Sequence, residues 1–200
     1  MDDRSVTSPY PFIYSQLELK YDKMGAPGDI YERELKFLLT GDRKSIDQMV
    51  KRCDDREGRA YNRMLTEPFV VIRAAGSLGV DLVALRWDFS FPIEVKSSAE
   101  ETMHFSRSQR LTDQANRMKD ECCKSHLLPI YAMRLKGIRG GDPWRVFALP
   151  MDEELKGNMG LLQRKVPQIR VNDNGNYIMK WSDGMKLSDF IHYVSLSMND

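Results

Sequence analysis

The sequence predicts a mixed α/β domain built around one central β-sheet. Helical segments, three strands, a long helix and two more strands follow one another, which is typical of a single layered domain. The chain has 200 residues, 42% hydrophobic and 30% charged, and this is enough for a soluble domain with a core of its own. We expect residues 1–28 to be an N-terminal extension and residues 29–200 to be the single folded domain.

The first part of that domain is predicted to be helical. "GDIYERELKFLL" has a partial apolar stripe, and Asp29 is placed to cap its start. "SIDQMVKRC" is a second helix with Ser45 as its candidate cap, and "DDREGRAYNRML" is a third that ends before Pro68. These two helices occupy about residues 40–67.

The strands follow. "FVVIRAA" is β-branched and apolar, as in a buried strand, and "VDLVALRW" and "SFPIEVKSS" form a hairpin with Trp87 and Asp88 near its tip. A long helix is predicted over residues 107–125, with Leu111, Ala115 and Met118 facing inward. "LLPIYAMRL" and "WRVFALP" are further strands, "GNYIMKW" is a short one, and "MKLSDFIHYVSLSM" is a closing helix.

The hairpin carries charges at its open end. With the turn near Asp88, residues whose numbers sum to about 177 face each other, so Asp81 is expected across from Lys96 and near Glu94. Glu94 and Lys96 are two residues apart and therefore share one face of the sheet. Two carboxylates beside an apolar core are costly unless they are paired or bind a metal, and Mg²⁺ prefers such oxygen ligands. The pattern indicates metal-assisted phosphodiester cleavage, with a structural salt bridge as the alternative.

Composition limits the remaining possibilities. Between Phe105 and Arg139 there are eight Lys and Arg against three acidic residues, which indicates a phosphate-binding face or a solvated helix surface. The three cysteines have no zinc-binding spacing, so we expect free thiols in a reducing compartment. We find neither a membrane span nor a signal peptide, and we expect a cytoplasmic, nucleoid-associated protein.

The central block resembles the PD-(D/E)xK nuclease superfamily, and within it the archaeal Holliday junction resolvases. The resemblance rests on "YEREL", "VIRAAGSLGVDLVAL", "IEVKSS", "FSRSQ" and "WRVFALP". It implies a restriction-endonuclease-like fold, with a mixed central β-sheet flanked by helices. It also implies catalytic roles for Glu32, Asp81, Glu94 and Lys96, and metal ligation by Asp81, Glu94 and Glu32. The substrate-binding positions that it implies are Arg33, Arg73, Ser77, Arg107 and Gln109.

In the resembled family the first helix leads almost directly into the first strand, so residues at about 40–67 are an insertion here. The insertion leaves two candidates for the family's first acidic residue. Glu57 lies at about the family's usual distance from "FVVIR", so it competes with Glu32 for that position. "YEREL" matches more positions of the family pattern, and we therefore favour Glu32.

The resemblance further implies a function. It predicts an Mg²⁺-dependent homodimer, with Mn²⁺ able to substitute, that resolves four-way DNA junctions by paired symmetrical nicks. Recombination or replication proteins are possible partners, and DNA recombination and repair are the expected setting. Two alternatives stay open at this point: a related nuclease that acts on flap or duplex DNA, and a junction-binding protein without catalysis.

Overall fold

A computed structural model of the chain describes residues 29–74 and 79–196. All the strands of the described residues belong to one of the two units into which the chain divides, Tyr31–Asp200. The predicted extension, residues 1–28, lies outside the described residues. No helix in the described ranges is both long enough and apolar enough to cross a membrane.

Three helices precede the sheet: α1 (Asp29–Leu39), α2 (Arg43–Val50) and α3 (Asp55–Arg63). The predicted cap of α2 is wrong, because Asp42 caps this helix and its carboxylate accepts a hydrogen bond from the Ser45 backbone N–H over 2.8 Å. Asp54 caps α3 in a capping box, in which Asp54 and Glu57 each accept a hydrogen bond from the other's backbone N–H. Asp29 is itself the first residue of α1.

The central sheet has six strands in the order β1-β2-β3-β5-β6-β9. All neighbours are antiparallel except β3 and β5, which run parallel. The predicted fold class, a mixed central sheet flanked by helices, is confirmed. The strands of this sheet are β1 (Val70–Arg73), β2 (Leu82–Leu85), β3 (Ser90–Ser98), β5 (Ile130–Leu135), β6 (Trp144–Ala148) and β9 (Met185–Lys186).

A second, three-stranded sheet was not predicted. It has the order β4-β8-β7, and only β8 corresponds to a strand that the sequence predicted. The predicted long helix begins two residues later than expected, because a 3₁₀ turn over Phe105–Arg107 precedes it. The remaining elements are β4 (Thr102–His104), α4 (Gln109–Ser125), α5 (Gly157–Lys165), β7 (Arg170–Val171), β8 (Tyr177–Lys180) and α6 (Leu187–Leu196).

The six-stranded sheet separates two apolar cores, because successive side chains of each strand point to opposite faces. One core includes Leu35 of α1 and Phe190 of α6, packed against residues such as Ile93 of β3. The other core includes Met118 of α4 and Phe105, packed against residues such as Tyr131 of β5. Glu94 and Lys96 alternate with Ile93 and therefore lie on the α4 side.

The prediction that "FVVIRAA" forms a buried strand is wrong in one respect. β1 is an edge strand, and its Val70 and Ile72 are 54% and 52% exposed. Val70 pairs with Leu85 of β2, which is also exposed, and Trp87 at the hairpin tip is 78% exposed. This apolar surface of Val70, Ile72, Leu85 and Trp87 is referred to below as the edge patch.

The cysteine prediction is confirmed in its structural part. Cys53, Cys122 and Cys123 are all free thiols. Burial raises the pKa of Cys122 to about 12, with the neighbouring Cys123 contributing, so this thiol is not a candidate nucleophile at neutral pH.

Candidate active site

Asp81 and Glu94 lie side by side at the open end of the β2–β3 hairpin. Leu82 pairs with Ile93, so facing residue numbers sum to 175, and Asp81 lies beside Glu94. The predicted pairing of Asp81 with Lys96 is therefore wrong, because the residue opposite Asp81 is Glu94, two residues earlier on β3. The prediction that these charges lie together at this end of the hairpin is correct. The Asp81 carboxylate accepts a hydrogen bond from the Val95 backbone N–H over 2.8 Å, which fixes its Oδ2 against β3.

Glu94 is a buried carboxylate with one oxygen engaged and one left over. The residue is 1% exposed. Its Oε1 accepts hydrogen bonds from the Lys96 ammonium and from the Gln114 amide, the latter over 2.7 Å. Within the described residues, its Oε2 has no hydrogen-bond partner. A buried charged oxygen without a partner is costly, so this atom is placed to bind something that the protein itself does not supply.

The surroundings of Glu94 also shift its titration. Burial raises its pKa to about 7, and the nearby Asp81 charge adds to this, while Lys96 and the Gln114 hydrogen bond oppose it. Raised carboxyl pKa values are common at functional sites, where like charges are held close together. At neutral pH this carboxyl is therefore poised between its protonated and ionised forms.

Lys96 is held between two side chains. Its ammonium forms an ion pair with Glu94 and donates a hydrogen bond to the Gln114 side-chain carbonyl over 3.2 Å. The Lys96 side chain is 15% exposed, so it keeps some access to solvent. The Lys96 ammonium is therefore close enough to contact a ligand bound beside Glu94.

Gln114 is a site residue that the sequence analysis missed. It lies on α4, next in sequence to the buried Ala115, and it contacts Glu94 and Lys96 together. Its amide nitrogen also lies 3.5 Å from the carbonyl oxygen of Gly79, two residues before Asp81. The available signal was a polar amide at the border of the apolar stripe of a helix, and that position alone does not indicate a partner.

Tyr131 extends the site on the next strand. Tyr131 and Glu94 are paired residues of β5 and β3, so their side chains leave the same face of the sheet. The Tyr131 hydroxyl is buried and has no hydrogen-bond partner among the described residues. Burial raises the pKa of this hydroxyl well above its usual value, and the Glu94 charge adds to the effect.

Glu32 of α1 reaches the same end of the sheet from its other face. Its carboxylate accepts a hydrogen bond from Arg73 over 2.7 Å, and Arg73 pairs with Leu82, the residue after Asp81. Arg33 is half-buried on α1. The structure therefore joins two of the predicted residues, Glu32 and Arg73, in one ion pair close to Asp81.

Glu57 lies elsewhere. Its carboxylate caps α3 and forms a 2.8 Å ion pair with Lys186 of β9, the far edge strand of the sheet. Three strand spacings separate β9 from β3, which is roughly 14 Å. Burial raises the pKa of Glu57, but the hydrogen bond from Lys186 and the cap outweigh it, and the net pKa is lowered. The Glu57 carboxylate therefore lies away from Asp81 and Glu94.

The other predicted substrate-binding residues lie around the start of α4 or outside the described ranges. Arg107 is exposed and forms a 3.2 Å ion pair with Glu100. Gln109, also exposed, donates a hydrogen bond to Asp113 over 2.8 Å. Ser77 lies outside the described residues.

The donor atoms at this site suit a hard divalent cation. In the described ranges there is no group of three His, Cys, Asp or Glu side chains already placed as metal ligands. Asp81 and the unpartnered Oε2 of Glu94 remain as a carboxylate pair. Mg²⁺ binds through one or two carboxylates while it keeps several waters, so these residues fit that ion.

The fold and the site define a mixed α/β protein with two carboxylates and a lysine at one end of its central hairpin. No family model matches the sequence. The curated proteins contain no match either. Among solved structures, that of Hjc, a Holliday junction resolvase from Archaeoglobus fulgidus, is similar over 76% of this chain and 96% of that chain, with a TM-score of 0.42 and 17% identity. This is a distant likeness of fold, and no residue's role follows from it.

Proposed function

We propose that this chain is a divalent-metal-dependent endonuclease that cuts four-way DNA junctions by paired symmetrical nicks. The observation that supports the proposal most is the buried Glu94 carboxylate. One of its oxygens is held by Lys96 and Gln114, and the other is unpartnered beside Asp81. Such an arrangement fits the binding of a cation next to a phosphodiester. It fits a purely structural salt bridge less well, because in that case both oxygens of the buried carboxylate would be expected to have hydrogen-bond partners.

Asp81 and Glu94 are the proposed ligands of Mg²⁺, and Glu32 is the proposed third acidic residue, acting from α1. Mn²⁺ has the same preference for oxygen donors, and we expect it to substitute. The bound ion would offset negative charge on the phosphate and lower the pKa of a coordinated water. The Arg73 ion pair would hold Glu32 at the end of the sheet until the ion is bound.

Lys96 acts on the reacting phosphate in this proposal. Because its ammonium is paired with Glu94, it is a cation that can orient the attacking water and stabilise charge on the phosphoryl oxygens. The water oxygen bonds to phosphorus and gives up a proton to solvent, while the bond from phosphorus to one ester oxygen breaks and that leaving oxygen takes up a proton from solvent. Gln114 keeps the ammonium in place throughout.

The remaining predicted residues would position DNA. Arg33, Arg73, Ser77, Arg107 and Gln109 are the proposed contacts to the backbone, and such contacts fix register without reading sequence. Selection of a four-way junction would then come from its shape and deformability. Proteins of recombination or replication are the proposed partners in the cell.

A four-way junction with two-fold symmetry is matched by a protein dimer with two-fold symmetry. We therefore propose a homodimer that buries the edge patch. Two apolar elements are candidates for the dimer surface, the edge strand β1 and the closing helix α6. The structure favours the strand, because the edge patch exposes Val70, Ile72, Leu85 and Trp87, whereas most apolar residues of α6 are buried. Exposed apolar clusters of this kind are typical of interaction sites.

Cleavage of a labelled four-way junction with Mg²⁺ tests the activity. The variants are Asp81→Asn, Lys96→Met, Glu32→Gln and Glu57→Gln. We expect the first three to slow cleavage at least about a hundredfold, since several kcal/mol of charge stabilisation is lost and each 1.36 kcal/mol is about tenfold. Glu57→Gln is the matched control, because its carboxylate lies near β9, and it should leave the rate within about threefold.

Substrate comparison separates the alternatives. Paired nicks on the junction, with little cleavage of flap or linear duplex, would support the proposal. Preference for flap or duplex would instead indicate a different nuclease. Junction binding without any cleavage, at every metal concentration, would indicate a non-catalytic junction-binding protein.

Light scattering on a sizing column tests the dimer. The wild type should have twice the 23.2 kDa chain mass. Ile72→Glu should shift it towards monomer, because a charge would be buried in an apolar contact. Leu161→Glu is the control, since Leu161 is 48% exposed on α5, outside the edge patch. Equal masses for the two variants would rule out the edge patch as the interface.

A further inference from the structure

An open groove lies beside the candidate active site. Its volume is about 360 Å³, and it lies between α4 and Gly79. Gln114 forms part of its wall and also contacts Glu94 and Lys96, so the groove adjoins the reaction centre. The lining residues are Gly79, Gln109, Arg110, Asp113, Gln114 and Arg117.

Gly79 forms part of the groove wall opposite α4. Its φ of +71° is in the left-handed region, and a Cβ there would lie 3.2 Å from Gln114 Cγ. A glycine at this position therefore lets the backbone approach α4 closely.

The basic segment of residues 105–139 supplies fewer available charges than its sequence indicated. Four of its eight cations form ion pairs with acidic residues, and Lys136 lies over the Tyr31 ring. Arg110, Arg117 and Arg139 form no ion pair with any other described residue, and all three are exposed. Two of these three, Arg110 and Arg117, line the groove.

The two arginines are spaced widely enough to reach separate phosphates. They are seven residues apart on α4, so they lie on one face, roughly 10.5 Å apart along the helix axis. Phosphates of one strand of duplex DNA rise by about 3.4 Å along its axis, and because the strand also winds around that axis they lie farther apart than this. Arg110 and Arg117 can therefore contact different phosphates of one strand, with Gln114 between them.

We infer that the α4 groove seats one strand of a DNA arm, with Arg110 and Arg117 each bound to a backbone phosphate. The strand is thereby directed to the phosphodiester position at Glu94 and Lys96. Asp113, which lies between the arginines, keeps phosphates away from the middle of the groove, and Gln109 binds its carboxylate. This inference rests on the proposed function and adds to it the path of the substrate strand.

Binding of an intact four-way junction by the full chain, with EDTA present, tests the inference. Affinity is measured between about 50 and about 200 mM salt. Arg110→Gln and Arg117→Gln should each reduce the slope of log affinity against log salt by about 1, and the double variant by about 2. Asp113→Asn should tighten binding. Arg43→Gln is the control, because Arg43 is an exposed arginine of α2 that pairs with Asp47.

The outcomes separate this inference from the proposed function. A wild-type slope in the double variant overturns the groove assignment, whatever the protein cleaves. Loss of slope in both arginine variants, in a protein that binds but never cleaves with Mg²⁺, supports the groove and overturns the nuclease. A wild-type protein that binds no junction DNA overturns both.

Discussion

Gln114 donates a hydrogen bond to Oε1 of Glu94 over 2.7 Å, and through this contact a residue of α4 sets the orientation of a carboxylate on β3. The same amide group accepts a hydrogen bond from Lys96. One side chain thus fixes both partners of the ion pair and leaves Oε2 of Glu94 directed away from them. In this arrangement Gln114 is a positioning residue, because it acts on the proposed chemistry only through Glu94 and Lys96.

Replacing Gln114 should slow cleavage without weakening DNA binding. We expect Gln114→Leu to reduce the rate about 10- to 100-fold, the usual effect of losing a residue that orients a metal ligand. Asp120→Asn, on the exposed surface of α4, is the control and should have the wild-type rate. Rates at saturating junction DNA and affinities in EDTA are the two measurements.

The pH profile distinguishes positioning from a general loss of structure. The Gln114 hydrogen bond lowers the pKa of Glu94, so its removal should raise that pKa further above its ordinary value. The acidic limb of the cleavage profile should then move to higher pH in Gln114→Leu. An unchanged limb together with a reduced rate would show that Gln114 supports the fold only.

The hairpin shows what the sequence could predict and what it could not. Alternation along "SFPIEVKSS" was enough to place Glu94 and Lys96 on one face, because the side-chain period of a strand is two. The register was wrong because it depends on the length of the turn, which here runs over Arg86 to Phe89, joined by an Arg86 N–H to Phe89 carbonyl hydrogen bond of 2.8 Å. Shifting the tip by one residue moved the partner of Asp81 from Lys96 to Glu94.

Several contacts of the candidate residues depend on partners that are distant in sequence. The spacing of Asp54 and Glu57 is that of a capping box, a local signal that favoured a structural role for Glu57. Its pairing with Lys186, 129 residues away, could not be predicted from any local pattern. The same holds for the basic segment, because Lys119 and Arg134 form ion pairs with Asp152 and Glu34 from other parts of the chain.

Stability should depend on pH through Glu94. Because its pKa is raised from 4.5 to about 7 on folding, its contribution is fully present below pH 4.5 and is lost as pH rises towards 7. The expected loss is about 3 kcal/mol in the absence of metal. Urea unfolding in EDTA at several pH values measures it, and Glu94→Gln should remove this part of the pH dependence. Parallel curves for the two proteins would contradict the raised pKa.

The tip of the hairpin should be the part most sensitive to loss of a charge. Arg86 and Asp88 form a two-pronged ion pair of 2.6 and 2.8 Å, with side chains 6% and 0% exposed. Removing one partner leaves a buried charge, so Asp88→Ala should lower the free energy of unfolding by about 3–5 kcal/mol. Asp47→Ala breaks an exposed pair with Arg43 and should cost at most about 0.5 kcal/mol. Similar losses for the two variants in urea unfolding would be inconsistent with a buried pair.

Tyr131→Phe should stabilise the protein, whereas the same change at Tyr177 should not. The Tyr131 hydroxyl is buried without a partner among the described residues, and such a group costs about 1–3 kcal/mol. Phenylalanine keeps the ring packed against Phe105 at a centroid distance of 5.6 Å and removes the hydroxyl, so we expect a gain of about 1 kcal/mol. The Tyr177 hydroxyl donates a hydrogen bond to Asn116 over 3.3 Å, and its removal should cost about 0.5–1 kcal/mol.

Urea unfolding of the two variants in EDTA gives the comparison, and the rate of junction cleavage with Mg²⁺ adds a second measurement. Because the Tyr131 hydroxyl and Oε2 of Glu94 leave the same face of the sheet, both could bind one ligand that is missing in EDTA. In that case Tyr131→Phe would be more stable than wild type in EDTA and would lose that advantage with Mg²⁺. A loss of stability in EDTA would mean that the Tyr131 hydroxyl has a hydrogen-bond partner in the folded protein. The description of this hydroxyl as unpartnered beside Glu94 would then be wrong.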